Sequence, residues 1–278
     1  MRSKKIDDLK NAFPEWEKHK NPCEEKKGLD EIKYEDVKRI VSGPAYRDFS
    51  PRTLKGVTKE STVVEGSLEW LSNEICDYIK KKTDNTETAF DDWHKDTCEE
   101  FKKKFNNAAA INYGKAQKIL NMTFKYLFCL YVSEDDEINR FKFCHMPLDT
   151  YTLYWFCDVV WESIRKAEDF APPESISTVT KIKDISWSNL DYGAYVWIQE
   201  QIREYLKGEN NIKYVDEQGQ TLTPFMAEFY IWPEQQLVEA CKPIKKLTVC
   251  AENYPKYSDE EIRELCNATI SRILRAKF

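Results

Sequence analysis

The chain has 278 residues, 41% of them apolar and 13% aromatic, enough for a full hydrophobic core and a small second lobe. Its 42 basic and 48 acidic residues leave a formal charge of −6, which excludes a histone-like polycation and confines any nucleic-acid contact to a local patch. Nine cysteines, scattered singly with no Cys-x-x-Cys pair, argue against a disulfide framework or a zinc knuckle and point to a reduced cytoplasm.

Residues 1–60 are polar and interrupted by Pro14, Pro22, Gly43, Pro44 and Pro51, which predicts an irregular N-terminal layer with one helix over 34–41. No apolar run long enough for a signal peptide follows the start, and no segment approaches the length of a membrane span, so a soluble cytoplasmic chain is expected. The spacing of Leu68, Leu71, Ile75, Tyr78 and Ile79 predicts an amphipathic helix over 67–82. Phe90, Trp93, Cys98, Phe101 and Phe105 predict a second, ending near 106. Asn112 and Gly114 then mark a tight helix-turn-helix junction into a third helix. Asp149 suits the N-cap of a strongly apolar helix over 150–166, with Leu148 and Leu153 as its hydrophobic staple. Residues 191–206 read as a helix ended by Gly208.

After Ile212 the period changes. Residues 212–216, a turn at 217–220 and residues 221–223 predict a β-hairpin, with a further strand over 228–232. Pro233 reads as a helix start, and the Ser258-Asp259-Glu260-Glu261 run as the capping box of a C-terminal helix. The expected architecture is mainly α, a multi-helix globule with a small β-hairpin in its C-terminal third. Its layers are an irregular 1–60, a helical core 61–210 carrying the site, and 211–278 packed on that core. With only His19, His94 and His145 as histidines, and no carboxylate cluster around them, no metal is expected.

The functional reading centres on the third helix. At ~100° per residue, Ala116, Leu120, Thr123, Leu127 and Tyr131 share one stripe, and Lys118, Asn121 and Lys125 the opposite one. Met122, Phe128 and Cys129 flank that second stripe, so it is read as the wall of a cleft. No acidic residue lies between Glu100 and Glu134, while Lys102, Lys103, Lys104, Lys115, Lys118 and Lys125 supply positive charge. They form a candidate local patch for DNA; the alternative is a solvated face balanced by the acidic run that follows. An antiparallel helix pair would bring Lys118 to Asp149. A carboxylate stabilises the charge that grows on a sugar as its base leaves, and an amine with its pKa lowered by partial burial attacks C1′ to form a Schiff base.

The run Gly114-Lys115-Ala116-Gln117-Lys118, then Lys125 on an aromatic-rich helix, then Met146-Pro147-Leu148-Asp149, resembles the helix-hairpin-helix DNA glycosylases. It is nearest their archaeal 8-oxoguanine branch, in which a catalytic lysine near a helix start is followed about thirty residues later by Pro-x-Asp. The likeness covers about forty residues. It implies a helical glycosylase fold, base flipping into a pocket, and no metal or dissociable cofactor. By that likeness Lys118 matches the Schiff-base lysine and Asp149 the aspartate, with Lys115 the other candidate amine. A flipped base would be held by stacking and hydrogen bonds, for which Gln117, Asn121, His145, Tyr151 and Trp155 are candidates; Gly114, Lys115 and Lys125 are candidates for the DNA. The hairpin carries Gly114 alone, with Asn112 and Tyr113 where a second glycine would stand. The resemblance implies cleavage of the N-glycosidic bond of a damaged or modified base, with or without lyase activity, in repair or antiviral defence.

Two other readings stand beside it. Arg140-Phe141-Lys142-Phe143-Cys144-His145 has an Arg-x4-His spacing similar to that of the HEPN ribonucleases. Alternatively, Lys118, Asn121, Lys125 and Asp149 are a solvated stripe and a cap on a non-catalytic helical interaction module.

Overall fold

A computed structural model describes residues 4–19, 28–49, 62–81, 86–105, 111–184, 186–208, 211 and 213–251. The chain divides into two compact units, Met1–Ile231 and Trp232–Phe278. The architecture is mainly helical. In the first unit α1 is Lys4–Ala12 and α2 is Tyr34–Ile40, the latter continuing through a π-helical turn, Val41–Ala45, to Tyr46–Asp48. Pro44 lies in that turn; proline has no amide proton to donate, and a π-turn accommodates the missing bond. The N-terminal layer is thus substantially helical, and Ile6, Leu9, Phe13 and Trp16 are buried.

Helix α3 is Thr62–Lys80, α4 Glu87–Lys104 and α5 Tyr113–Tyr131. The junction residue Asn112 and the helix-start residue Asp191 act as N-caps. Asn112 Oδ1 accepts from the Lys115 amide at 3.3 Å, and Asp191 Oδ1 from the Ala194 amide at 2.7 Å, each satisfying a donor that the first helical turn leaves open. Helix α6 is Thr150–Trp155, followed without a break by a π-helical turn at Phe156–Trp161 and by Glu162–Ile164. Helix α7 is Val179–Asp184, α8 Tyr192–Lys207 and α9 Pro224–Ala251. No described helix is long and apolar enough to cross a membrane.

Helix α5 is the axis of the first unit. It packs against α2, α4, α8, the Val41–Ala45 turn and the 3-10 turn Trp187–Asn189. Surrounded this way, every residue from Tyr113 to Tyr131 except Leu130 is buried. Its aromatic flank joins Phe124 and Phe128 to Phe141, and Phe128 to Phe225, with ring centroids 5.4–6.2 Å apart. Each such side chain contributes roughly 1.5–3 kcal/mol of burial. The Lys10 ammonium donates to the Val132 carbonyl at 2.6 Å, closing the C-terminal end of α5.

The C-terminal third corrects the sequence reading. Of the expected hairpin only an isolated antiparallel bridge, Val215 to Thr221, is present, and no strand occurs among the described residues. Its turn contains Gly219 at φ +74, a left-handed conformation that suits glycine. Pairing stops there because Asn211 takes the Tyr214 amide at 2.9 Å and caps the Leu206 carbonyl. The expected strand at 228–232 lies inside α9, which starts at Pro224 and not at Pro233. Thr223 accepts from the Met226 amide, and Phe225 and Phe229 meet edge-to-face one turn apart with centroids 5.7 Å apart; that four-residue spacing is helical. The expected capping box at Ser258 lies outside the described residues.

Candidate functional site

Lys118 and Asp149 meet. The Lys118 Nζ donates to Asp149 Oδ2 at 2.9 Å, with side chains 6% and 15% exposed. Asp149 is fixed by its N-cap role: Oδ1 accepts from the amides of Tyr151 and Thr152 at 2.9 and 3.1 Å, and its own amide donates to Thr152 Oγ1 at 2.7 Å. One carboxyl oxygen thus holds a helix end and the other an ammonium.

The pair belongs to a larger buried group of charges. Lys125, on the same stripe of α5, lies 2.5 Å from Glu228 of α9, both almost wholly buried, and its ammonium sits 3.8 Å from the centre of the Phe13 ring. Asp48 accepts from the Tyr126 hydroxyl at 3.0 Å. Burial opposes the charge on Lys118, but Asp149, Asp48 and Glu228 together raise its pKa above the ordinary lysine value. The expected lowering by partial burial is therefore corrected: with three carboxylates near, the amine stays protonated. Burial raises the Glu228 carboxyl despite Lys125 and Lys118, and raises Asp48 despite Lys118. Lys115, in contrast, is lowered by burial.

The remaining candidates face inward. Gly114 gives its amide to the Leu190 carbonyl at 2.9 Å, and a Cβ on it would lie 2.0 Å from the Trp187 carbonyl oxygen. Its backbone is committed to a close helix–loop contact, so it is not the phosphate grip that the resemblance implies. Gln117 donates to the Leu148 carbonyl at 2.9 Å and accepts from its amide at 3.3 Å. Asn121 donates to the Tyr195 hydroxyl, and His145 lies between Tyr195 and Asp91. Trp155 is buried against Tyr205 and Tyr214, with its indole N–H on the Tyr214 hydroxyl at 3.0 Å. Tyr151 is half-buried and serves the Asp149 cap through its backbone.

The expected basic patch does not form as one surface. Lys115, Lys118 and Lys125 are buried, and Lys102, Lys103 and Lys104 pair with Glu99 and Glu100 along their own helix. The wall of a cleft that the stripe predicted is enclosed on every side. A cleft of about 460 Å³ does occur elsewhere, over Leu9, Ile138 and Leu222, with Asp8, Asp135, Asp216 and Glu217 around it and no basic residue in its lining. Its charge would repel a phosphate backbone. Arg140 engages Asp30 and the Ile79 carbonyl, so its partners are separate from those of His145.

Sequence reasoning missed Asp48 and Glu228, and also Asp91, His94, Tyr195, Gln199 and Arg203, which build a second polar cluster. One signal for the latter was present: Tyr195, Gln199 and Arg203 recur every four residues on the inner face of α8, and Asp91 and His94 lie one turn apart on α4. Comparison of the chain with family models, with curated proteins and with solved structures finds no match.

Proposed function

We propose that the chain is a DNA glycosylase with an associated lyase step, Lys118 supplying the nucleophile and Asp149 the opposing charge. The observation that carries this reading is the 2.9 Å contact between an amine and a carboxylate remote in sequence, with the carboxylate held rigidly at a helix N-terminus. Such a pair is the minimum that glycosidic cleavage requires. As the base departs with the C1′–N bonding pair, Asp149 faces the cation left on the sugar. That cation competes with Lys118 for Oδ2. An ammonium beside a second positive charge loses its proton more readily; the departing base, which carries the bonding pair, takes that proton, and the freed amine bonds to C1′. The ring C1′–O4′ bond then opens, O4′ takes a proton from the nitrogen, and a Schiff base results. Arg47, exposed and coupled to Asp48 and Tyr126 of the same group of charges, is a candidate contact for the DNA backbone.

Borohydride trapping on DNA carrying an abasic site tests this directly. The wild-type chain should form a covalent adduct, and Lys118→Gln, which keeps a donor opposite Asp149, should lose it at least a hundredfold while keeping its circular dichroism spectrum. Lys115→Ala should retain the adduct. Asp149→Asn should trap slowly and release base slowly. An adduct undiminished in Lys118→Gln rules out the assigned nucleophile.

A second reading, a non-catalytic helical interaction module, is favoured by the small exposure of the pair, 6% and 15%. It expects no adduct, no base release from DNA carrying modified bases, and co-purification with a protein partner.

A further inference from the structure

The second polar cluster runs through the core as a hydrogen-bonded chain with a single direction. The Tyr113 hydroxyl is 3.1 Å from His94 Nδ1, and His94 Nε2 is 3.0 Å from Asn121 Oδ1. Asn121 Nδ2 donates to the Tyr195 hydroxyl at 3.0 Å, which is 2.8 Å from His145 Nδ1. His145 Nε2 is 2.6 Å from Asp91 Oδ1, and Arg203 clamps both oxygens of Asp91 at 2.6 and 2.7 Å. One assignment of protons satisfies all of these contacts. Tyr113 donates to His94, His94 to Asn121, Asn121 to Tyr195, Tyr195 to His145, and His145 to Asp91. Both imidazoles are neutral in it.

A proton added to His145 would sit on Nδ1 and turn that nitrogen into a donor. Tyr195 would then receive from both His145 and Asn121, and its own proton would have only His94 Nε2, 3.3 Å away, to go to. His94 would have to change tautomer, leaving Asn121 Oδ1 without a donor. An added proton therefore reverses the Tyr195–His145 and Tyr113–His94 links and breaks the one from His94 to Asn121, and a buried group left unsatisfied costs about 1–3 kcal/mol. A proton on His94 changes less: Nδ1 becomes a donor to the Tyr113 hydroxyl, Nε2 still donates to Asn121, and the contacts from Asn121 to Asp91 keep their direction.

The segment that carries His145 is held by side chains. Gln199 accepts from the Met146 amide and donates to its carbonyl, at 3.2 and 2.7 Å; Gln117 clasps Leu148 in the same way. Both glutamines are fully buried, and each stands in for the neighbouring strand that an extended segment would otherwise pair with. Asp149 comes directly after.

We propose that this chain is an acid-sensitive latch: a proton taken up at His145 reverses its contact with Tyr195, leaves Asn121 without its donor, undocks segment 144–149 from Gln117 and Gln199, and releases Asp149 from Lys118. The groups facing the two imidazoles are Glu87, Asp91 and Cys98 from α4, Tyr113 from α5, and Tyr195 and Arg203 from α8. Burial holds both imidazoles below the ordinary histidine value; His145 depresses His94 further, and for His145 burial outweighs the Asp91 hydrogen bond. Protons reach the chain at its Asp91 end, where the side chain is 24% exposed. The latch does not rest on the glycosylase reading, because its readout is the segment itself.

Amide hydrogen exchange on the full chain, corrected for the intrinsic pH dependence, tests it between about pH 8 and pH 5. Protection of the Met146 and Leu148 amides should fall by about tenfold per pH unit for each proton taken up below ~6.5. The Phe124 and Leu127 amides of α5 should keep theirs. Asp91→Asn removes the carboxylate that favours the charged imidazole and should carry the fall to lower pH with its onset unchanged. If that variant does not fold, NMR titration of the wild-type His145 decides: its ring must stay neutral in the docked chain while protection falls, and take up its proton only where the fall levels off. Protection of Met146 and Leu148 that stays level, or that falls in step with Phe124 and Leu127, overturns the proposal, as does a docked His145 that takes up its proton at the ordinary histidine value.

Discussion

Helix α5 carries two polar clusters on adjacent stripes, and they are built on opposite principles. One is ionic: Lys118 with Asp149 and Lys125 with Glu228, with Asp48 close enough to act on both lysines. The other is a chain of neutral donors and acceptors from Tyr113 to His145 that ends on the Asp91–Arg203 pair. The ionic cluster is held by charge balance and is indifferent to which proton points where. The neutral chain is held by direction and tolerates no extra proton. Burying charges costs desolvation that only the partner repays, whereas burying neutral groups costs little once each has found its bond.

The largest expected effect comes from unbalancing the ionic cluster. Glu228→Ala leaves Lys125 charged in the core and should destabilise the chain by about 3–5 kcal/mol in urea unfolding. The double change Lys125→Met with Glu228→Leu should recover most of that, because it removes both desolvation costs. A single variant costing under about 1 kcal/mol would show that the pair is hydrated and the contrast between the clusters false.

A smaller effect, graded with pH, separates the neutral chain from the ionic one. His94 and His145 have folded-state pKa values below their unfolded ones, so the unfolded chain binds protons that the folded chain refuses. Stability is then complete above about pH 6.5 and falls as pH drops, by roughly 1.4 kcal/mol per pH unit for each histidine. The Asp91 carboxyl is depressed: burial raises it, but the hydrogen bonds from Arg203 and His145 outweigh burial. Its contribution is present above about pH 4 and is lost below it. Urea midpoints measured from about pH 7.5 to 5 should show the first decline, and His145→Gln should reduce it. A flat profile over that range would contradict the assignment of neutral imidazoles.

The smallest effect is the surface control. Lys103→Ala, whose side chain is 72% exposed beside Glu100, should change stability by less than about 0.5 kcal/mol. A larger change would mean that the paired lysines of α4 matter in a way that their geometry does not explain.

Helices α3, α4, α5, α6 and α8 were legible because their signals are local. Asp149 caps the helix it was read to cap, and Asn112 and Asp191, read as a turn residue and a helix start, are caps as well, since a side-chain oxygen beside an open amide needs nothing from the rest of the fold. The meeting of Lys118 with Asp149 was legible for a related reason: a cap fixes one partner and helical periodicity the other. Tertiary structure decided what surrounds them. A polar stripe reads the same whether it meets water or other buried charges, and whether Lys125 is solvated or sealed against Glu228 depends on an element about a hundred residues later in the chain. The hairpin that became a single bridge is a similar case, because the amide of Tyr214 was already taken by Asn211. Local pattern chose the helices and their ends; how many neighbours packed around α5 chose which of its polar groups would be buried, and buried groups are the ones that must find partners.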